Sequence, residues 1–215
     1  MLILRCFVTC IQILKYNNMK TRFSVKNNWL WVVLLTVGAM LTRILPHPPN
    51  VTPMTAICLF SGMALGFRLL TFVLPFVVLY ASDFLINNTI GRAFITDTSE
   101  VIWWTDFMNW TYGSYFLIIL ISAFVLKRAK TQSVVLTALG SGILFFLLTN
   151  FSSWVGYSYY PKSFAGLLLC YEAGLPFFRV SIIGDIAFAL ILFWSYRWIT
   201  TPQQSQTLAP IREQH

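Results

Sequence analysis

Charge is scarce in this chain. Of 215 residues, 15 are Lys or Arg and 7 are Asp or Glu, 10% in all, against about 25% in an ordinary soluble domain. A soluble chain with so few charges and 57% apolar residues would leave wide apolar patches in water. Soluble enzymes, nucleic-acid binders and disordered chains are therefore poor fits. Histidine occurs only as His47 and His215. The four cysteines (Cys6, Cys10, Cys58 and Cys170) form no C-x-x-C pair and have no histidine partners at metal spacing. No metal and no cofactor are expected, and Cys58 and Cys170 read as small buried hydrophobes. The sequence also lacks G-x-x-x-x-G-K-[ST], H-E-x-x-H and G-x-S-x-G. His47 has no evident serine and orienting acid beside it, so the chain is not expected to be an enzyme.

What the sequence has is long apolar runs. A helix needs about 20 apolar residues to cross a bilayer, and this chain holds enough for six. The expected spans are 29–45, 54–67, 69–87, 110–126, 133–149 and 180–199. The stretch 163–178 is apolar but carries Glu172, two glycines and Pro176. It is expected as a short extra helix at or dipping into the membrane face, with a seventh span as the rival. The fold class is thus all-α integral membrane, divided into an N-terminal tail 1–28, a six-helix membrane domain 29–199 and a C-terminal tail 200–215. Met19-Lys20-Thr21-Arg22 resembles a start just before a span, so translation from Met19 is an alternative to Met1. No inverted repeat relates the two halves, which weakens a stand-alone secondary transporter.

The net charge of +8 follows the spans. With the N-terminus and C-terminus both inside, eleven of the 15 basic residues fall on cytoplasmic segments, among them Arg68, Lys127, Arg128, Lys130 and Arg197. The outer loop 88–109 holds Arg92 against Asp97, Glu100 and Asp106. This is the positive-inside pattern. It accounts for the basic excess through the lipid bilayer as partner and requires no nucleic acid.

Ionisable residues within spans are costly and point to function. Depth estimates bring Arg43, His47, Asn50, Asp83, Asn150, Arg179 and Asp185 to one level near the outer leaflet. Each has a plainer reading. Arg43 and Arg179 can snorkel to head groups, Asp83 can cap a helix, His47 can serve a proline-rich turn, and Asp185 can pair with an arginine. Together they suggest an outward polar cavity. Aromatics cluster beside it: Trp103, Trp104, Phe107, Trp110, Tyr112 and Tyr115 in one outer connection, and Trp154, Tyr157, Tyr159 and Tyr160 in the next. They read either as an interfacial belt or as a lid over a flat ligand. Gly62/Gly66 and Ala138/Gly142 supply small-residue spacings for close helix packing.

Several of these residues also carry a resemblance. Arg43-Ile-Leu-Pro-His-Pro-Pro-Asn50, Thr52-Pro53, Leu74-Pro75, Ser82-Asp83, Thr149-Asn150-Phe151 with Trp154, Tyr160-Pro161, Pro176-Phe177-Phe178 and Gly184-Asp185 resemble a family of uncharacterised bacterial inner-membrane proteins. The resemblance covers about 28–199. That family is similar in size and layout to the substrate-binding S components of energy-coupling-factor (ECF) vitamin transporters. The resemblance implies six helices, a vitamin or other small nutrient held near the outer face, and an energising module of one transmembrane subunit and two ATPases. Span one lacks the A-x-x-x-A docking pattern of such proteins; Gly38-Ala39 and Thr42 are its nearest substitute. The outer loop 86–111 is long for the family and offers no Cys or His for a corrinoid cobalt, and no His-rich N-terminus supports a nickel or cobalt carrier.

The expected function is capture of a small organic nutrient from outside. Arg43 and Arg179 would pair with an anionic group, or with Asp83 and Asp185 in the empty site. Asn50 and Asn150 would hydrogen-bond the ligand, and Trp154 and Tyr160 would stack on it, with His47 nearby. The alternative is a structural or assembly membrane protein whose polar cluster is an internal salt-bridge network.

Overall fold

The computed structural model describes residues 29–44, 51–89, 92, 100–126 and 129–200. Among them the chain is all-helical: α1 (Trp29–Ile44), α2 (Met54–Leu65), α3 (Leu69–Asn88), α4 (Asp106–Val125), α5 (Thr131–Gly156) and α6 (Phe164–Thr200). Four of these, α3 to α6, are long and apolar enough to cross a membrane. At 1.5 Å per residue α1 and α2 reach only about 24 and 18 Å, short of the ~30 Å hydrocarbon core.

The shortest helix is the centre of the bundle. All twelve residues of α2 are buried, and every other helix packs against it. Its sequence, MTAICLFSGMAL, is apolar all round, which fits a helix with no solvent face. Pro53 opens it, where a missing N–H costs nothing, and the Ile57 N–H closes the first turn on the Pro53 carbonyl at 2.8 Å. Gly66 closes it at φ +62°, a conformation that a side chain would oppose. Leu59, Ile118, Ile119, Phe193 and Tyr196 are among the side chains packed in the surrounding core. The outer surface is apolar too: Leu69, Leu136, Ile183 and Trp198 are exposed, as lipid-facing side chains of a bundle are.

Gly62 allows α4 to approach α2. A Cβ there would stand 1.7 Å from Ser122 Oγ and 2.8 Å from both the Ala123 nitrogen and the Ile119 carbonyl oxygen. Gly66, the other half of that spacing, meets nothing within 4 Å; it is needed for its backbone and not for packing. In the second spacing Ala138 is fully buried, and a Cβ at Gly142 would meet Ile182 Cδ1 at 2.4 Å.

Pro75 sits inside α3. Its ring removes the N–H that would bond the carbonyl four residues back, which is that of Thr71. The hydroxyl of Ser61, on α2, donates to that carbonyl at 2.8 Å. A polar gap opened by one helix is filled by its neighbour.

The C-terminal part differs from expectation. Residues 163–178 do not form a separate short helix: α6 runs unbroken from Phe164 to Thr200, with Pro176 inside it. The expected last span, 180–199, is its second half. Proline is tolerated in apolar helices when the freed carbonyl finds other partners, and the glycines that suggested a break serve packing. A Cβ at Gly174 would stand 2.4 Å from Asn150 Oδ1 on α5. With 37 residues, α6 measures about 55 Å, longer than the whole ~40–45 Å bilayer.

Candidate functional site

Five helices and the segment before α2 enclose a cavity of about 350 Å³. It lies at the end of the bundle where α1 and α5 finish and α2 and α4 begin. α1 contributes Arg43, the segment before α2 Thr52, the start of α2 Thr55, and α4 Phe107, Thr111 and Tyr115. The last turns of α5 contribute Phe145, Phe146, Thr149, Asn150 and Ser153; the middle of α6 contributes Phe177, Phe178, Ser181 and Asp185. Residues 145, 149 and 153 recur every four positions and so share one face of α5. α5 and α6 approach closely in the wall because Gly142 and Gly174 carry no side chain there.

Among the described residues two charged side chains reach this cavity, Arg43 and Asp185. They are not paired with each other. Arg43 donates to Asp83 on α3 at 2.6 Å and to Ser82 Oγ at 2.5 Å. Asp83 also accepts from the Tyr112 hydroxyl at 3.1 Å. Asp83 is buried behind the wall and acts on the cavity by holding Arg43. Asp185 is buried, with 4% of its surface exposed, and accepts a hydrogen bond from Thr55.

Four of the lining hydroxyls and amides donate a proton to their own helix. Thr149 donates to the Phe145 carbonyl at 2.8 Å, Ser153 to Thr149 at 3.1 Å, and Thr111 to Phe107 at 3.1 Å. Asn150 Nδ2 donates to the Phe146 carbonyl at 2.8 Å. Such bonds keep polar side chains compatible with an apolar surrounding and leave oxygen lone pairs for a ligand. The aromatic walls are built from contacts across helices, with Tyr115 stacked on Phe145 at 4.9 Å and Phe146 against Phe178 at 4.7 Å.

Not all of the expected site residues meet here. Arg43, Asn150 and Asp185 line the cavity, and Asp83 supports it. His47 and Asn50 lie outside the described residues. Arg179 is exposed on α6 and does not line the cavity, so the expected Arg179–Asp185 pairing is replaced by the Thr55 hydrogen bond. Trp154 and Tyr160 do not line it either. The Trp154 indole donates to the Pro161 carbonyl at 2.9 Å, and Lys162 lies 5.8 Å from its ring centre. The same ammonium donates to the carbonyls of Trp154, Val155 and Tyr157, capping the end of α5 as a cation should.

The tryptophans of the earlier connection also face elsewhere. Trp103 packs on Phe84 and Trp104 on Tyr80, holding residues 100–105 against α3. Asn88 fixes the same segment by a two-way bond with Ile102, 2.9 Å each way. Of that aromatic group only Phe107 and Tyr115 line the cavity. Phe107 also borders a second cavity of about 530 Å³ that includes Asn87, Asp106, Trp110 and Tyr157. The lining threonines and serines were hidden from a reading by charge. A helical-face count on α5 is the signal that would have found Thr149 and Ser153.

A bundle of this kind, with membrane-length helices and a polar, aromatic-walled cavity at one end, defines an all-helical protein with a candidate ligand site. The chain belongs to a family of unknown function, DUF6580, whose model matches residues 23–208. No curated protein and no solved structure matches the chain.

Proposed function

We propose that the protein is a substrate-binding membrane subunit that takes up a small organic nutrient, a vitamin or a molecule of that size, from the outer face of a bacterial inner membrane. In this reading there are six spans with both termini inside, and the protein binds without performing chemistry. Energy comes from a separate module of ECF type, a transmembrane subunit with two ATPases. The likeness to ECF S components rests on sequence motifs and layout.

The observation that carries the reading is the cavity itself. Its volume of about 350 Å³ falls in the ~300–1,000 Å³ range of small-molecule sites. Its walls combine aromatic side chains with convergent polar groups, among them Arg43, Asn150 and Asp185, the two elements that such sites use for affinity and orientation. The positive-inside count supports an outward position for this end of the bundle. Mass spectrometry of small molecules released from gently extracted protein tests it. The expected result is a stoichiometric organic molecule on the native protein that is lost from Thr149→Phe, which fills the cavity.

One observation favours a second reading, a structural or assembly protein. Arg43 is closed on Asp83 at 2.6 Å, as an internal ion pair would be. Native protein that carries no small molecule, together with an unfolded Arg43→Ala variant, would favour it.

A further inference from the structure

We infer that the cavity takes an organic ammonium ion with an apolar body. The inference rests on the proposed reading of the cavity as a ligand site and names the class of ligand.

Charge is the first argument. Arg43 is the cation at the cavity, but its two terminal nitrogens are engaged by Ser82 and Asp83. Asp83 cancels its charge, and Tyr112 completes that carboxylate. The anion, Asp185, has no cation in ion-pair contact among the described residues. Thr55 gives it one hydrogen bond, and a Cβ on Gly142 would stand only 3.0 Å from its Oδ2. An ionised carboxylate buried in this way calls for an opposite charge. When Asp185 is ionised, the cavity therefore carries one negative charge that no cation among the described residues balances.

Hydrogen-bond polarity is the second argument. The protons of Thr111, Thr149 and Ser153 go to backbone carbonyls, so these residues turn lone pairs to the cavity. Thr55 spends its proton on Asp185. Around the carboxylate these residues present acceptors, with the remaining N–H groups of Arg43 and Asn150 and the hydroxyls of Thr52 and Ser181 as the donors beside them. An ammonium has three donors and no acceptor, and so matches the carboxylate and these acceptors. A carboxylate or phosphate would meet lone pairs and a negative charge.

The walls give the third argument. Tyr115, Phe145, Phe146 and Phe178 line the same space, and aromatic faces attract a cation as well as an apolar body. A bare metal ion is a poorer match. Among the described residues no three His, Cys, Asp or Glu side chains group as ligands, whereas hard divalent cations take six or more oxygens, carboxylates prominent among them.

The test compares three probes of one shape: benzylammonium, benzyl alcohol and phenylacetate, each titrated against full-length protein in mild detergent by the shift in its unfolding temperature. Benzylammonium is expected to bind at least about tenfold more tightly than the other two, the effect of one charge-assisted hydrogen bond. Asp185→Asn is expected to abolish that preference and to leave benzyl alcohol unchanged. If Asp185→Asn does not fold, the charge order on the native protein and a weakened preference in Thr55→Val serve in its place. Phenylacetate binding as well as benzylammonium, or a preference that survives Asp185→Asn, overturns the ammonium inference while the ligand site stands. Failure of all three probes to bind overturns both.

Discussion

The Ser61 hydroxyl on α2 donates to the Thr71 carbonyl on α3 at 2.8 Å, the carbonyl that Pro75 leaves without an intrahelical N–H. Ser61 is fully buried, so nothing else in an apolar bundle replaces it. Ser61→Ala is expected to cost about 1–3 kcal/mol, the penalty for an orphaned buried acceptor. Pro75→Ala restores an N–H at position 75. In that background the cost of Ser61→Ala should shrink by more than half. A double-mutant cycle measured by unfolding in mixed micelles checks this; additive effects would show that the two groups do not share the Thr71 carbonyl.

Arg43 and Asp83 give a second cycle. Both side chains are mostly buried, with 18% and 11% exposed. Removing either leaves a charge without its partner, at a cost of about 3 kcal/mol, the low end for buried pairs because some exposure remains. Replacing both, as Arg43→Met with Asp83→Leu, should cost less than either single change. Thermal unfolding of the four proteins decides it. Equal losses in all three variants would mean that the pair does not act as a unit.

These two contacts also show how much of the molecule was legible beforehand. Apolar run length located five helices and the second half of α6, because a helix with no water-facing side is apolar along its whole length. The central place of α2 was not legible, since twelve apolar residues look alike whether lipid or protein surrounds them. Pro176 and Gly174 suggested a break before residue 180. In water that inference is sound, but in a bundle the glycine lets α6 close on Asn150 and the helix continues. Depth along the spans placed Arg43, Asn150 and Asp185 at one level, and all three line the cavity. Depth says nothing about rotation. Trp154 has the right height but turns to Pro161 and Lys162. Thr55 and Ser181 carry no charge and read as parts of apolar runs.

Glycine substitutions should separate close approach from backbone freedom. A Cβ at Gly62 collides with α4 backbone at 2.8 Å as well as with Ser122 Oγ. The backbone cannot rotate aside, so Gly62→Ala should destabilise by about 1–3 kcal/mol, as overpacking does. Gly66 has open space, but its φ +62° comes with ψ −143°, a region close to glycine alone, and Gly66→Ala should cost about 1–3 kcal/mol through backbone strain. Gly140, open and inside α5, should gain about 0.5–1 kcal/mol as alanine. Unfolding midpoints above native for Gly140→Ala and below native for Gly66→Ala and Gly62→Ala check the set; a neutral Gly62→Ala would mean that α2 and α4 separate easily.

The side of the membrane on which the cavity lies is open to direct chemistry. Ser153 and Ser181 line it from α5 and α6, and both are half-buried. Cys58 and Cys170 are buried, so a variant with Cys6→Ser and Cys10→Ser supplies a quiet background. In that background Ser153→Cys and Ser181→Cys should react in intact cells with a small, membrane-impermeant methanethiosulfonate carrying a quaternary ammonium. Gly38→Cys, on the exposed face of α1, should not, because lipid holds no thiolate. Asp185 attracts a cationic reagent, so the anionic sulfonatoethyl analogue should label Ser181→Cys several-fold more slowly, and Asp185→Asn should bring the two rates together. Labelling that needs broken cells would place the cavity on the cytoplasmic side and reverse the direction of uptake proposed above. Equal rates for the two reagents on the native carboxylate would mean that the Asp185 charge is not felt in the cavity.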